Sequence, residues 1–261
     1  MAIGLIIIGD EIMSGKHVDK HFPRVIEMLK MRGLHLDWAE FIGDEPERII
    51  ATLRRTLASG DIVFSCGGIG ATPDDHTRQC AAAALGVPLE MHPDAKTKIQ
   101  QRIAFTAEKA GVAVDPDAPD YLQRLKMGEF PRGAQIIPNP VNQIPGFSIG
   151  THYFVPGFPE MAAPMIEWAL DTHHSNLFHQ ERHDEKSVLV FGTMEATLTP
   201  LMESIEADYP LVKVFSLPHM GDAASRGYIE LGVKGEPVQV GEAFNRLVVA
   251  LNAKNVEYRR I

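Results

Sequence analysis

Two adjacent carboxylates, Asp74 and Asp75, follow closely on the glycines Gly67, Gly68 and Gly70 in the stretch Asp61 to Gly86, DIVFSCGGIGATPDDHTRQCAAAALG. Glycines so spaced let a backbone turn tightly and come close to a ligand. A helix N-terminus after them presents free N–H groups and the positive end of a dipole, and the group that such a cradle holds is a phosphate. Carboxylates repel phosphate, so one bound beside Asp74 and Asp75 would favour a bridging cation such as Mg²⁺. The same residues also have a purely structural reading. Thr72 fits an N-cap, Pro73 fits the first helical position, and Thr72 with Asp75 makes an acidic capping box. A second acidic pair, Asp10 and Glu11, follows Gly9 at the end of the apolar run Ile3 to Ile8. Open α/β sheets place their ligands at that end of a strand, so these two would contact metal or ribose, or else begin a turn.

The elements that must position these groups read as strands alternating with helices. Ile3 to Ile8 is a strand covered on both faces, and Asp61 to Cys66 is another. Helical spacing marks Phe22 to Arg32 and Glu47 to Ser59, with a strand at Leu34 to Ile42 between them. The glycine turn leads into a helix expected to start at Thr72 and to end at Gly86-Val87-Pro88. Such alternation implies a mostly parallel sheet with helices on both faces. Further on come a helix at Asp94 to Ala110, a loop at Asp115 to Asp120 and a short helix at Tyr121 to Met127. Short strands follow at Gly133 to Ile137 and Tyr153 to Val155, then a helix at Met161 to Asp171. The segment 172–184 holds His173, His174, His179 and His183 without a hydrophobic period. It reads as a solvated linker rather than a metal site. Residues 185–261 follow the order β-α-β-β-α-β of a small ferredoxin-like domain.

Length and composition bound the rest. A chain of 261 residues, 45% hydrophobic, supports a large core and two domains, here 1–171 and 185–261. A net charge of -9 argues against non-specific binding to nucleic acid or to an anionic membrane. Cys66 and Cys80 read as reduced core residues of a cytoplasmic protein. The first residues lack the basic region and cleavage site of a signal peptide.

Four blocks in order carry a family resemblance: Ile8-Gly-Asp-Glu-Ile-Met-Ser14-Gly15, GGIGATPDDHT from Gly67 to Thr77, Asn139-Pro140-Val with Pro145-Gly-Phe147, and Pro156-Gly157-Phe-Pro159. Together they resemble the molybdopterin-binding domain of molybdenum-cofactor biosynthesis proteins. The nearer branch is the amino-terminal domain of competence/damage-inducible protein A, also found fused in eukaryotic FAD synthase. The resemblance covers residues 1 to about 170, and extends more weakly to the ferredoxin-like tail. The deamidase domain that often follows in that branch is expected to be absent.

The resemblance implies a three-layer α/β domain, often a homo-oligomer. Its pocket takes molybdopterin, its adenylylated form, or a nucleotide diphosphate such as ADP-ribose. It assigns catalytic roles to Asp44 and Asp75. Gly9, Asp10, Glu11, Ser14, Gly67, Gly68, Gly70, Thr72, Asn139, Pro140, Pro156 and Gly157 would contact the ligand. Main-chain amides of the three turn glycines would hold phosphate oxygens. Asp75, with Asp74 or Asp10, would hold Mg²⁺ or another divalent cation that offsets developing charge and activates water. Departures fall in the pocket loops. Asp19-Lys20-His21 replaces Asp-Thr/Ser-Asn, Ala71 replaces a proline, and Asn142-Gln143-Ile144 replaces Gly-Thr-Ala. Three readings of function stand: metal-dependent hydrolysis of a pyrophosphate, non-catalytic binding of molybdopterin, and a structural or regulatory oligomer that uses the altered loops for a partner.

Overall fold

The computed structural model describes residues 2–180, 184–221 and 226–261. Two compact units divide at Phe178 and His179.

In the first unit, strand β1 (Ile3–Ile8) is buried throughout, as its unbroken apolar run requires. A single helical turn, α1 (Asp10–Met13), stands where the sequence suggests a loop. Then come α2 (His21–Met31), β2 (Trp38–Ile42), α3 (Pro46–Leu57), β3 (Ile62–Cys66) and α4 (Thr77–Leu85). They are followed by β4 (Leu89–Met91), α5 (Pro93–Ala110), α6 (Pro119–Leu125), β5 (Glu129–Pro131), β6 (Gln135–Ile137), β7 (Gly146–Ile149), β8 (His152–Val155) and α7 (Pro159–His173). The main sheet has the order β2-β1-β3-β8-β7-β6. Its first four strands are parallel, β7 runs antiparallel to β8, and β6 runs antiparallel to β7.

Alternation along the strands builds two cores, one on each face. Leu5, Ile7, Phe64, Tyr153 and Val155 pack with Val25, Met28 and Leu29 of α2 and with Met165, Ile166 and Ala169 of α7. On the other face Ile6, Ile8, Val63 and Phe154 meet Ile49 and Leu53 of α3, Cys80 and Ala81 of α4, and Ala95 of α5. Phe147 stacks between Phe154 and Phe130, at centroid distances of 4.4 and 4.8 Å. This is the three-layer, mainly parallel arrangement that the sequence implies. Both cysteines are buried and unpaired.

Three boundaries differ from the sequence reading. Helix α4 begins at Thr77, not Thr72, because residues 72–75 close on themselves as a turn. The strand expected from Leu34 starts at Trp38, where pairing with β1 begins. A strand at Gly146–Ile149, hidden behind a proline-rich loop, completes a meander with β6 and β8. The histidine segment is also not all solvated linker. Helix α7 runs to His173, and buried His174 sits 2.8 Å from the Tyr153 hydroxyl. Burial and the neighbouring His173 hold the His174 imidazole below its usual pKa. His183 lies outside the described residues.

The second unit comprises β9 (Asp184–Phe191), α8 (Glu195–Asp208), β10 (Val212–His219), β11 (Tyr228–Gly235), α9 (Pro237–Ala253) and β12 (Glu257–Arg260). Its antiparallel sheet has the order β10-β11-β9-β12, the split βαβ arrangement expected. Val188, Val190, Leu231 and Val233 form its core with Leu198, Ile205, Leu247 and Leu251 of the two helices. Among the described residues no helix is long and apolar enough to cross a membrane.

Candidate functional site

Parallel strands β1, β3 and β8 end side by side, so the loops after them share one edge of the sheet. Those loops carry Gly9, Gly67 and Gly157. The Gly67 amide donates to Val155 O (3.0 Å), which joins the glycine turn to the end of β8. That bond corrects the expectation that Gly67 offers its N–H to a phosphate. Gly67 instead needs to be glycine for packing: its φ is +110°, and a Cβ would strike the Ile8 carbonyl of β1. Gly68, at φ +68°, lies against Thr77 in the same way.

The turn beyond Gly68 is fixed from several sides. Thr77 N–H donates to Gly68 O (2.9 Å), and its hydroxyl donates to Gly67 O (3.0 Å). Asp75 Oδ2 accepts from the Thr72 amide (2.8 Å) and hydroxyl (2.5 Å). This contact is the acidic half of the capping box, but it closes a turn before the helix rather than starting one. Arg78, 3% exposed, lies behind the turn. Its guanidinium donates to Gly70 O (2.7 Å) and to Lys126 O, and among the described residues Nε has no partner. Burial lowers its pKa from an already high value, so it stays charged, with Glu129 and Asp75 opposing the shift. Gln123 of α6 donates to Ala71 O (2.6 Å). Among the described residues the amides of Gly68, Ile69 and Gly70 have no acceptor.

At the end of β1, Asp10 and Asp44 form a reciprocal pair. The Asp10 amide donates to Asp44 Oδ2 (2.8 Å), and the Asp44 amide donates to Asp10 Oδ1 (3.2 Å). A Cβ on Gly43 would strike Asp10 Oδ1. Desolvation raises the Asp44 pKa, aided by the charges of Asp10, Glu11 and Asp74 and opposed by the Asp10 amide. Asp44 therefore sits inside a field of carboxylates. Asp75 instead faces Thr72, and among the described residues no group of three His, Cys, Asp or Glu could hold a metal ion. The expected set of Asp75 with Asp74 or Asp10 does not form a ready coordination site. The donors present suit only a hard cation that brings phosphate oxygens as its remaining ligands.

The other expected contacts divide. Glu11 on α1 and Ser14 at its C-terminal cap are exposed. Gly157 is tied to the first loop, because its carbonyl accepts from His21 Nε2 (3.1 Å). Asp19 in turn holds the His21 and Phe22 amides, both at 2.9 Å. Pro156 is half-buried beside Gly157. Asn139 is buried, and its Oδ1 accepts from the Val141 amide (3.0 Å). Asn142 likewise holds Ile144 N–H (2.9 Å), so both asparagines shape their own loop. Pro140 is exposed at the mouth of a cavity. Sequence reasoning missed Arg78 and His21. A lone arginine in the alanine-rich helix TRQCAAAAL was the available signal for Arg78, whereas nothing local marks His21 as buried.

A family model described as the probable molybdopterin binding domain matches residues 4–175. This chain belongs to that family. A CinA-like protein of Anaeromyxobacter sp. (strain K) is 34% identical over 175 residues, 65% of this chain and 40% of that protein. The chain thus spans about two fifths of such a relative. A protein of Caldivirga maquilingensis is 28% identical over 266 residues, 94% of both chains. The crystal structure of the protein CinA, of unknown function, from Thermoplasma acidophilum superposes with a TM-score of 0.54 at 26% identity. It covers 66% of this chain and 97% of its own. In both this CinA structure and the CinA-like relative, the family resemblance falls on about two thirds of the chain.

Proposed function

We propose that the first unit binds a phosphorylated pterin of the molybdopterin class, or a nucleotide diphosphate, at the shared edge of β1, β3 and β8. The observation that carries this reading is the turn from Gly68 to Gly70. Its amides lack acceptors, while Asp75, Thr77, Arg78 and Gln123 hold its shape from behind. A turn fixed in this way pays little ordering entropy when a phosphate arrives. The Arg78 guanidinium, buried against Gly70 O, adds fixed positive charge behind the cradle. Membership of the family supports the pterin as ligand.

A second reading, hydrolysis of a pyrophosphate such as ADP-ribose, is favoured by the carboxylate field around Asp44. A divalent cation bound by Asp10 and Asp44 together with phosphate oxygens would relieve that repulsion and stabilise charge at the bridging oxygen. The chain's own part is to orient the diphosphate and to keep Asp44 ionised next to the cation. A homo-oligomer is part of the proposal, to be read by sedimentation.

Calorimetric titration with molybdopterin, its adenylylated form and ADP-ribose, each with and without Mg²⁺, tests both readings. Saturable binding without turnover supports the first. Release of a phosphate monoester only with metal supports the second. Failure to bind any of the three rejects both.

A further inference from the structure

Away from the glycine turn, a cavity of about 370 Å³ is lined by Lys98, Pro138, Asn139, Pro140, Gln143, Pro164 and Trp168. Its size falls at the lower end of small-molecule sites. Three elements form it: α5, the loop between β6 and β7, and α7. Pro164 and Trp168 stand four apart on α7, so they lie one above the other on the same helix face. The three prolines supply flat apolar surface, and none has an N–H to offer. Trp168 adds an indole, with His173 packed edge-on against it at 5.3 Å.

The polar side chains in this wall, besides the Trp168 indole, are Lys98, Asn139 and Gln143. Lys98 is half-buried and, among the described residues, makes no ion pair or hydrogen bond. Among the described residues no Asp or Glu lines the cavity. Asn139, 4% exposed, spends its oxygen on the loop amides, and its Nδ2 meets only the weak acceptor Met161 Sδ, at 3.6 Å. The cavity therefore joins flat apolar walls to an unpaired cation and an under-used amide donor. We propose that it binds a planar aromatic compound carrying one negative charge. The ring would lie against Trp168 and the prolines, and the anionic group would take hydrogen bonds from Lys98 Nζ and Asn139 Nδ2. This site does not depend on the glycine turn, and it stands or falls separately from the proposed function.

The probes are 2-naphthoate and 2-naphthamide, which share a shape and differ in charge. Each is titrated into the full chain while the indole N–H signal of Trp168 is followed by NMR. Naphthoate is expected to move that signal saturably and to bind about tenfold or more tighter than the amide, the worth of one charge-assisted bond. Lys98→Met should reduce the ratio to about one. Lys96→Met, exposed on the same helix, should leave it unchanged. Equal affinity for the two probes overturns the proposal, as does an unmoved Trp168 signal or a preference that survives Lys98→Met.

Discussion

Asp75 holds the glycine turn through two hydrogen bonds to Thr72 and presses against Gly70. Asp75→Ala removes both bonds and should cost about 1 kcal/mol of stability by urea unfolding, a typical net value for exposed hydrogen bonds. Asp75→Asn keeps one acceptor, so it should cost less and retain more ligand affinity than Asp75→Ala. Equal loss in the two variants would mean that the carboxylate charge, not the turn, matters. Asp44 makes a different prediction. Its folded pKa is raised, so the folded state holds a proton that the unfolded chain has released, and stability falls as pH rises above the ordinary value of 3.8. Asp44→Asn should remove that fall. Its urea midpoint relative to wild type should therefore increase from pH 3.5 to pH 7, which midpoints measured across that range check. The glycine turn could be picked out from the sequence, because glycine spacing is a local signal, whereas Asp44 was marked only by the family resemblance. Arg78 behind the turn and His21 on the Gly157 carbonyl could not be picked out: each reaches a carbonyl far away in the chain.

Among the elements, the strands β1 and β3 were readable as continuous apolar runs and periodicity marked the longer helices, but the short strands β4, β5 and β7 fell outside the expected order. The start of α4 was not. Thr72, Pro73 and Asp75 make a good local N-terminus, but the carbonyl of Gly68 takes the Thr77 amide and moves the helix five residues on. Tertiary contact overrode a local signal there, as it did at β7, which pairs with β6 on one side and β8 on the other. Strand β8 also carries a cost that only the structure reveals. His152 is 2% exposed, with Nε2 unpartnered among the described residues, and desolvation lowers its pKa to about 4. Between pH 6.5 and about 4 the unfolded chain binds a proton there that the folded chain does not, so stability falls as pH drops through that window. His152→Phe leaves no hydrogen bond unmade and should flatten that fall. The variant should gain stability over wild type at pH 5 and differ little at pH 7.5, as read by denaturant midpoints.

On the scale of the molecule, the described cores belong to one unit or the other. Leu247→Ala, in α9 of the second unit, should cost about 2–5 kcal/mol in that unit. It should leave the unfolding of the first unit, followed through Trp38 and Trp168 fluorescence, unmoved. The central claim concerns the first unit: the Gly68 to Gly70 amides receive the phosphates of a pterin or nucleotide diphosphate. Amide NMR of the full chain during titration with ADP-ribose tests it most directly. The account predicts that the Gly68, Ile69 and Gly70 amides shift together and saturate at one affinity, weakened in Asp75→Ala. Saturable binding that leaves those three amides unshifted would contradict it.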